Sequence, residues 1–107
     1  MNKEAQESIQ RLQVMEQNVQ ALNMQKQQFQ AQLFEVEGAL KEISTAPVAY
    51  KIVGGIMIGV DKDALQKELQ NKKELLDLRV QTLEKQEKQV KEKAKKLQEE
   101  VMASVKE

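Results

Sequence analysis

The segment Pro47-Val48-Ala49-Tyr50-Lys51-Ile52-Val53-Gly54-Gly55-Ile56-Met57-Ile58-Gly59-Val60 decides how this 107-residue chain folds. It holds the only proline, the only tyrosine and every glycine except Gly38, and β-branched residues crowd it. Two such runs joined by a glycine pair read as a β-hairpin with a tight turn. The sequence changes character on either side. Residues 2–44 and 62–106 are dense in Gln, Glu, Lys, Leu and Ala, contain no proline, and carry a single glycine. These residues lose little rotamer freedom in a helix. In the second stretch Glu precedes Lys by four at Glu68/Lys72, Glu84/Lys88, Glu87/Lys91 and Glu92/Lys96, a spacing that supports helix by ion pairing. The chain therefore reads as one domain over 1–107: helix 2–44, hairpin 47–60, helix 62–106. Asp61 or Asp63 is expected to cap the second helix.

Steps of alternately three and four residues from Ala5 reach Ser8, Leu12, Met15, Val19, Leu22, Lys26, Phe29, Leu33, Val36, Leu40 and Ile43, all apolar but Ser8 and Lys26. The same steps from Leu69 reach Lys73, Leu76, Val80, Leu83, Glu87, Val90, Ala94, Leu97, Val101 and Ser104, where only Lys73, Glu87 and Ser104 are polar. A repeat averaging 3.5 residues keeps a narrow stripe facing a partner helix, which is coiled-coil behaviour. The partner is expected to be the other arm of the same chain. Folded back antiparallel, seam residues meet seam residues throughout: Leu40 with Leu69, Leu33 with Leu76, Phe29 with Val80, Val19 with Val90, Leu12 with Leu97. The fold class is thus mainly α, an antiparallel two-helix coiled coil with a central β-hairpin, and both termini end together at one tip. Lys26 and Glu87 fall in neighbouring seam layers and are expected to pair across the arms. The alternative is that each reaches water separately and sets register at some cost in stability.

Composition excludes several function classes. Seventeen basic residues balance 17 acidic ones, and there is no Cys and no His. Without a thiolate or an imidazole the chain lacks the usual nucleophile, the usual acid or base near neutral pH and the commonest zinc ligands, so no catalytic residue, metal site or cofactor is expected. Arg79, Lys85, Lys88, Lys91, Lys93, Lys95 and Lys96 are interleaved with acids and read as a solvated surface, not a nucleic-acid site. The run Gly54 to Gly59 lacks the ending of a phosphate loop. With no apolar leader at its start and no apolar stretch long enough to span a bilayer, the chain is expected to be cytoplasmic and not a membrane protein.

The hairpin and the tip are the candidate functional surfaces. One hairpin face is expected to carry Val48, Tyr50 and Ile52 and the other Val53 and Met57, so neither suits water. An isolated two-stranded hairpin with open edges is marginal. Val48, Tyr50, Ile52, Val53, Ile56, Met57, Ile58 and Val60 are therefore expected to join hairpins of other subunits in an intersubunit β-barrel. Phe34, Leu75 and Leu78 lie off the seam and are expected to pack on that barrel or on a neighbour, where Gly38 would allow close approach or is merely tolerated. At the tip Ile9, Val14, Met102 and Val105 are off the seam, and with frayed Leu12, Leu97 and Val101 they form an expected contact surface for apolar partners.

The runs Tyr50-Lys51-Ile52-Val53-Gly54, Val60-Asp61-Lys62-Asp63 and Leu78-Arg79-Val80-Gln81-Thr82-Leu83-Glu84-Lys85-Gln86-Glu87, set between heptad arms of equal length, resemble the prefoldin family in its archaeal β-type branch. The resemblance covers nearly the whole chain, with departures at Gly55 and Gly59. It implies a hexamer of two α-type and four β-type subunits with joined barrels. It also implies an ATP-independent co-chaperone that captures unfolded client proteins at coiled-coil tips and passes them to a group II chaperonin. A structural coiled-coil scaffold or spacer is the alternative, and it predicts inert tips.

Overall fold

A computed structural model describes residues 2–106. Helix α1 spans Lys3–Ile43, strands β1 (Ala49–Val53) and β2 (Ile56–Val60) follow, and helix α2 spans Lys62–Lys106. This is the expected order of two long helices around a central antiparallel hairpin. The helix bounds differ from those read in the sequence only where caps sit, and the hairpin, read as 47–60, begins its first strand at Ala49. Asn2 lies outside α1 because it caps it: its Oδ1 accepts the Ala5 amide at 2.7 Å, satisfying one of the donors a helix start leaves free. At the other end the Ser44 and Thr45 hydroxyls donate back to the Lys41 and Glu42 carbonyls at 2.7 and 3.4 Å. The Lys62 ammonium reaches the Ser44 carbonyl at 3.4 Å, so α1 stops without the glycine that commonly ends a helix. Of the two candidates for the α2 cap it is Asp61 that serves, its Oδ2 accepting the Ala64 amide at 3.0 Å. Asp63 stands in the first turn, where a negative charge suits the helix dipole.

Every residue picked out by the three-and-four step is buried or half-buried, from Ala5 to Ile43 on α1 and from Leu69 to Ser104 on α2. The chain packs as two compact units, residues 1–27 with 81–107 and residues 28–80. In the first, the antiparallel pairing brings the chain ends together: the Asn2 side-chain amide donates to the Ser104 hydroxyl at 3.5 Å. In the second, Phe29 takes its seam place and the Arg79 guanidinium lies 5.4 Å from its ring centroid, a cation–π contact that the apolar pattern alone did not reveal.

Gly54 and Gly55 both have positive φ, 57° and 78°, as a two-residue hairpin turn of the primed type requires. The turn sets the register: Val53 pairs with Ile56, Ile52 with Met57, Lys51 with Ile58, Tyr50 with Gly59 and Ala49 with Val60. This corrects the face assignment made from the sequence. Residues directly opposite in an antiparallel pair point to the same side, so Met57 joins Ile52 and Tyr50, while Val53 shares its face with Ile56 and Ile58. Parity along one strand does not carry through a turn. Val48 precedes β1 as part of a bend.

Gly38 sits in the interior of α1 with nothing within 4 Å of where a Cβ would stand. Gly38→Ala is therefore expected to stabilise the isolated chain by up to ~1 kcal/mol, the usual helix-interior difference, read as a higher urea midpoint. A lower midpoint in the assembled form would show that a neighbouring subunit approaches the backbone there.

Candidate functional site

Three features stand out. The first is the polar layer. Lys26 Nζ lies 3.2 Å from Glu87 Oε2, with side chains only 18% and 11% exposed, so the cross-arm pair forms. A third member joins it: Lys91, one turn on from Glu87, reaches its Oε1 at 2.8 Å. The sequence did carry the signal, since Glu87/Lys91 is one of the four-residue Glu–Lys spacings. Hydrogen bonds from Lys91 and then from Lys26 hold the Glu87 carboxyl below its ordinary value of 4.5, outweighing the opposing effect of burial.

The second is the chain end of the first unit. Val14, Met102 and Val105 are 55%, 55% and 58% exposed there. Ile9, Leu12 and Val101 are half-buried, and Leu97 is closed into the seam at 7%. Leu97 offers surface only if the two helices part. Nor do the exposed residues form one patch. Val14 shares a shallow surface with Glu7, Arg11 and Asn18. Ile9 stands two helical turns from Glu16, which lines a different groove together with Lys91, Lys95 and Gln98 of α2. Met102 and Val105 continue from Gln98 by four and three residues, so they share that second flank with Ile9.

The third is the hairpin. Val48, Tyr50, Ile52, Val53, Ile56, Met57 and Ile58 are all exposed, whereas Val60 is half-buried and its partner Ala49 is buried. Apart from β1 pairing with β2, neither strand has another neighbour among the described residues. Lys51, on the same face as Val53 and Ile58, is tied to Glu68 of α2 at 2.9 Å. The ring of Tyr50 lies across from Gly59, where an added Cβ would meet it at 3.8 Å, an ordinary contact. Phe34, Leu75 and Leu78 are likewise exposed in this unit. Among the described residues no group of His, Cys, Asp or Glu side chains is arranged to hold a metal ion, and no helix is long and apolar enough to cross a membrane.

Two long helices in coiled-coil packing with an uncovered β-hairpin between them in sequence define a helical-hairpin class of subunit. The sequence profile of the prefoldin subunit family matches residues 6–107. The chain is 37% identical over 105 residues to the prefoldin subunit beta of Methanothrix thermoacetophila, covering 95% of this chain and 88% of that one. It is 43% identical over 86 residues to the Pyrobaculum neutrophilum subunit beta, covering 78% and 68%. The crystal structure of the prefoldin beta subunit from Thermococcus strain KS-1 superposes with a TM-score of 0.90 at 35% identity, over 96% of this chain and 93% of that one. This chain belongs to the prefoldin family of chaperones, and it is similar to the archaeal beta subunits.

Proposed function

We propose that this chain is the β-type subunit of an ATP-independent holdase, which captures non-native proteins at the helix ends of its first unit and hands them to a group II chaperonin. The observation that carries the reading is the exposed Met102 and Val105 beside Ile9 at the end where both termini meet, apolar surface with no rigid pocket to restrict what it touches. Flexible thioether and aliphatic side chains suit such contact. Val14 and, on fraying, Leu12, Leu97 and Val101 add to it.

The exposed hairpin supports the second half of the reading, assembly with α-type subunits and further β copies as an α2β4 hexamer, through Val48, Tyr50, Ile52, Val53, Ile56, Met57, Ile58 and Val60. Burying both faces and both edges in a closed barrel removes the liability of open strands. Assembly also gathers several weak binding ends in one particle, where a second contact is effectively intramolecular and raises avidity by ~100-fold or more. Each contact stays individually reversible, so release to a competing chaperonin surface needs no nucleotide. A cytosolic site of action goes with this role.

The test is suppression of aggregation of a chemically unfolded protein by the full-length assembly and by one lacking residues 1–10 and 98–107. The truncated form is expected to assemble normally and lose most of its suppression. Unchanged suppression would favour a coiled-coil spacer with inert ends.

A further inference from the structure

We infer that the Lys51–Glu68 ion pair gives the hairpin its sidedness in assembly. It holds the hairpin's only charged residue against the chain's own helix and leaves the opposite, charge-free face for a hairpin of another subunit. The inference deepens the assembly reading above and rests on it.

Apolar content does not tell the two hairpin faces apart. Val53, Ile56 and Ile58 share one face with Lys51, and Tyr50, Ile52 and Met57 share the other with Gly59. Charge does separate them. Lys51 is the sole charged residue between Glu42 and Asp61, so one face carries an ammonium and the other carries none. The Lys51 face is also the one turned towards the helices of its own unit. At the base of the hairpin, Ala49 on this face is buried and its partner Val60 is half-buried. Further out, the Lys51 ammonium crosses from β1 to α2 and donates to Glu68 Oε1 at 2.9 Å. Glu68 turns to Lys51 rather than to Lys72, four residues on, which is the partner that helix spacing alone would give it. Among the described residues no other side chain of either strand makes a hydrogen bond or an ion pair.

The paired side chains are 45% and 57% exposed, so the bridge adds little to the stability of the single chain. Its effect is directional. An ammonium closed into a barrel interior without a counter-ion is strongly disfavoured, whereas on the outer side the bridge keeps it paired and within reach of water. Tyr50, Ile52 and Met57 bring no charge inward. A hairpin held at a fixed angle by the bridge meets its partner already oriented, which lowers the ordering cost of association. The partner that fits is a second hairpin of the same kind, charge-free on the face it offers.

The test reads assembled mass by light scattering over a dilution series of the full-length chain with an α-type partner, with helix content checked by circular dichroism. Met57→Glu places a carboxylate on the charge-free face and is expected to abolish assembly. Ile58→Glu places it directly opposite Lys51, where a cross-strand pair is favourable, and is expected to keep the assembled mass. The reverse pattern, or loss of assembly in both, would overturn the inference while leaving the hairpin as the assembly surface. Wild-type mass in both would count against the assembly reading itself. Lys51→Glu and Glu68→Lys are each expected to raise the half-assembly concentration by about 2- to 5-fold per subunit contact, as one exposed ion pair allows, and less at high salt. Combined, they restore the pair with its charges exchanged and are expected to recover wild-type assembly. Single variants without effect, or a double variant that does not recover, would overturn the role of the bridge.

Discussion

Ile52→Asp/Met57→Asp is expected to leave a chain of normal helix content that no longer assembles. The two side chains stand directly opposite each other across the hairpin and are 71% and 66% exposed. Their replacement therefore removes almost nothing from the packing of the chain itself. In a barrel the same positions become interior. Each apolar side chain fully buried there contributes about 2 kcal/mol, so losing both weakens a subunit contact by ~4 kcal/mol, roughly a thousandfold, before any cost of burying carboxylates. Circular dichroism should be unchanged, and light scattering should report the monomer mass with or without an α-type partner. A variant that retains the wild-type assembled mass would show that the hairpin is not the assembly surface.

Glu87→Gln is expected to lower the thermal midpoint near pH 7 by several degrees. Glutamine is nearly isosteric, so the seam keeps its shape; what goes is the negative charge that both Lys91 and Lys26 address. Lys26 is then left in the seam without a counter-ion, and polar seam residues are tolerated chiefly when partnered. The pH dependence separates this cause from a packing defect. Because the folded-state pKa of Glu87 lies below its ordinary 4.5, the pair's contribution is fully present above that pH and is lost as pH falls through 4.5 towards the depressed value. The midpoints of wild type and Glu87→Gln should therefore differ at neutral pH and converge in acid. A gap that persists undiminished well below pH 4.5 would mean that the charge is not what stabilises this layer.

Much of the fold was legible because its determinants are local and periodic. The three-and-four step named the seam residues on both helices, and the glycine pair located the turn that splits the chain. The helix stops were less legible: Ser44 and Thr45 end α1 with hydroxyl contacts that many sequences could provide. The hairpin faces were misassigned because strand parity was followed past the turn, whereas the Val53–Ile56 pairing puts Met57 opposite Ile52. The candidate capture surface was half legible. Off-seam apolar residues near both termini were identifiable by counting, yet whether they stand together was not.

Sequence alone determined which residues face the partner helix, where the chain turns, and that Lys26 and Glu87 lie in adjacent layers, since each depends on spacing along one chain. Tertiary structure decided that Arg79 covers Phe29, and that Ile9 shares a flank with Met102 and Val105 while Val14 lies elsewhere. Those outcomes depend on the rotation of one helix about its axis relative to the other, and on rotamers chosen between helices. No count along a single helix contains either quantity.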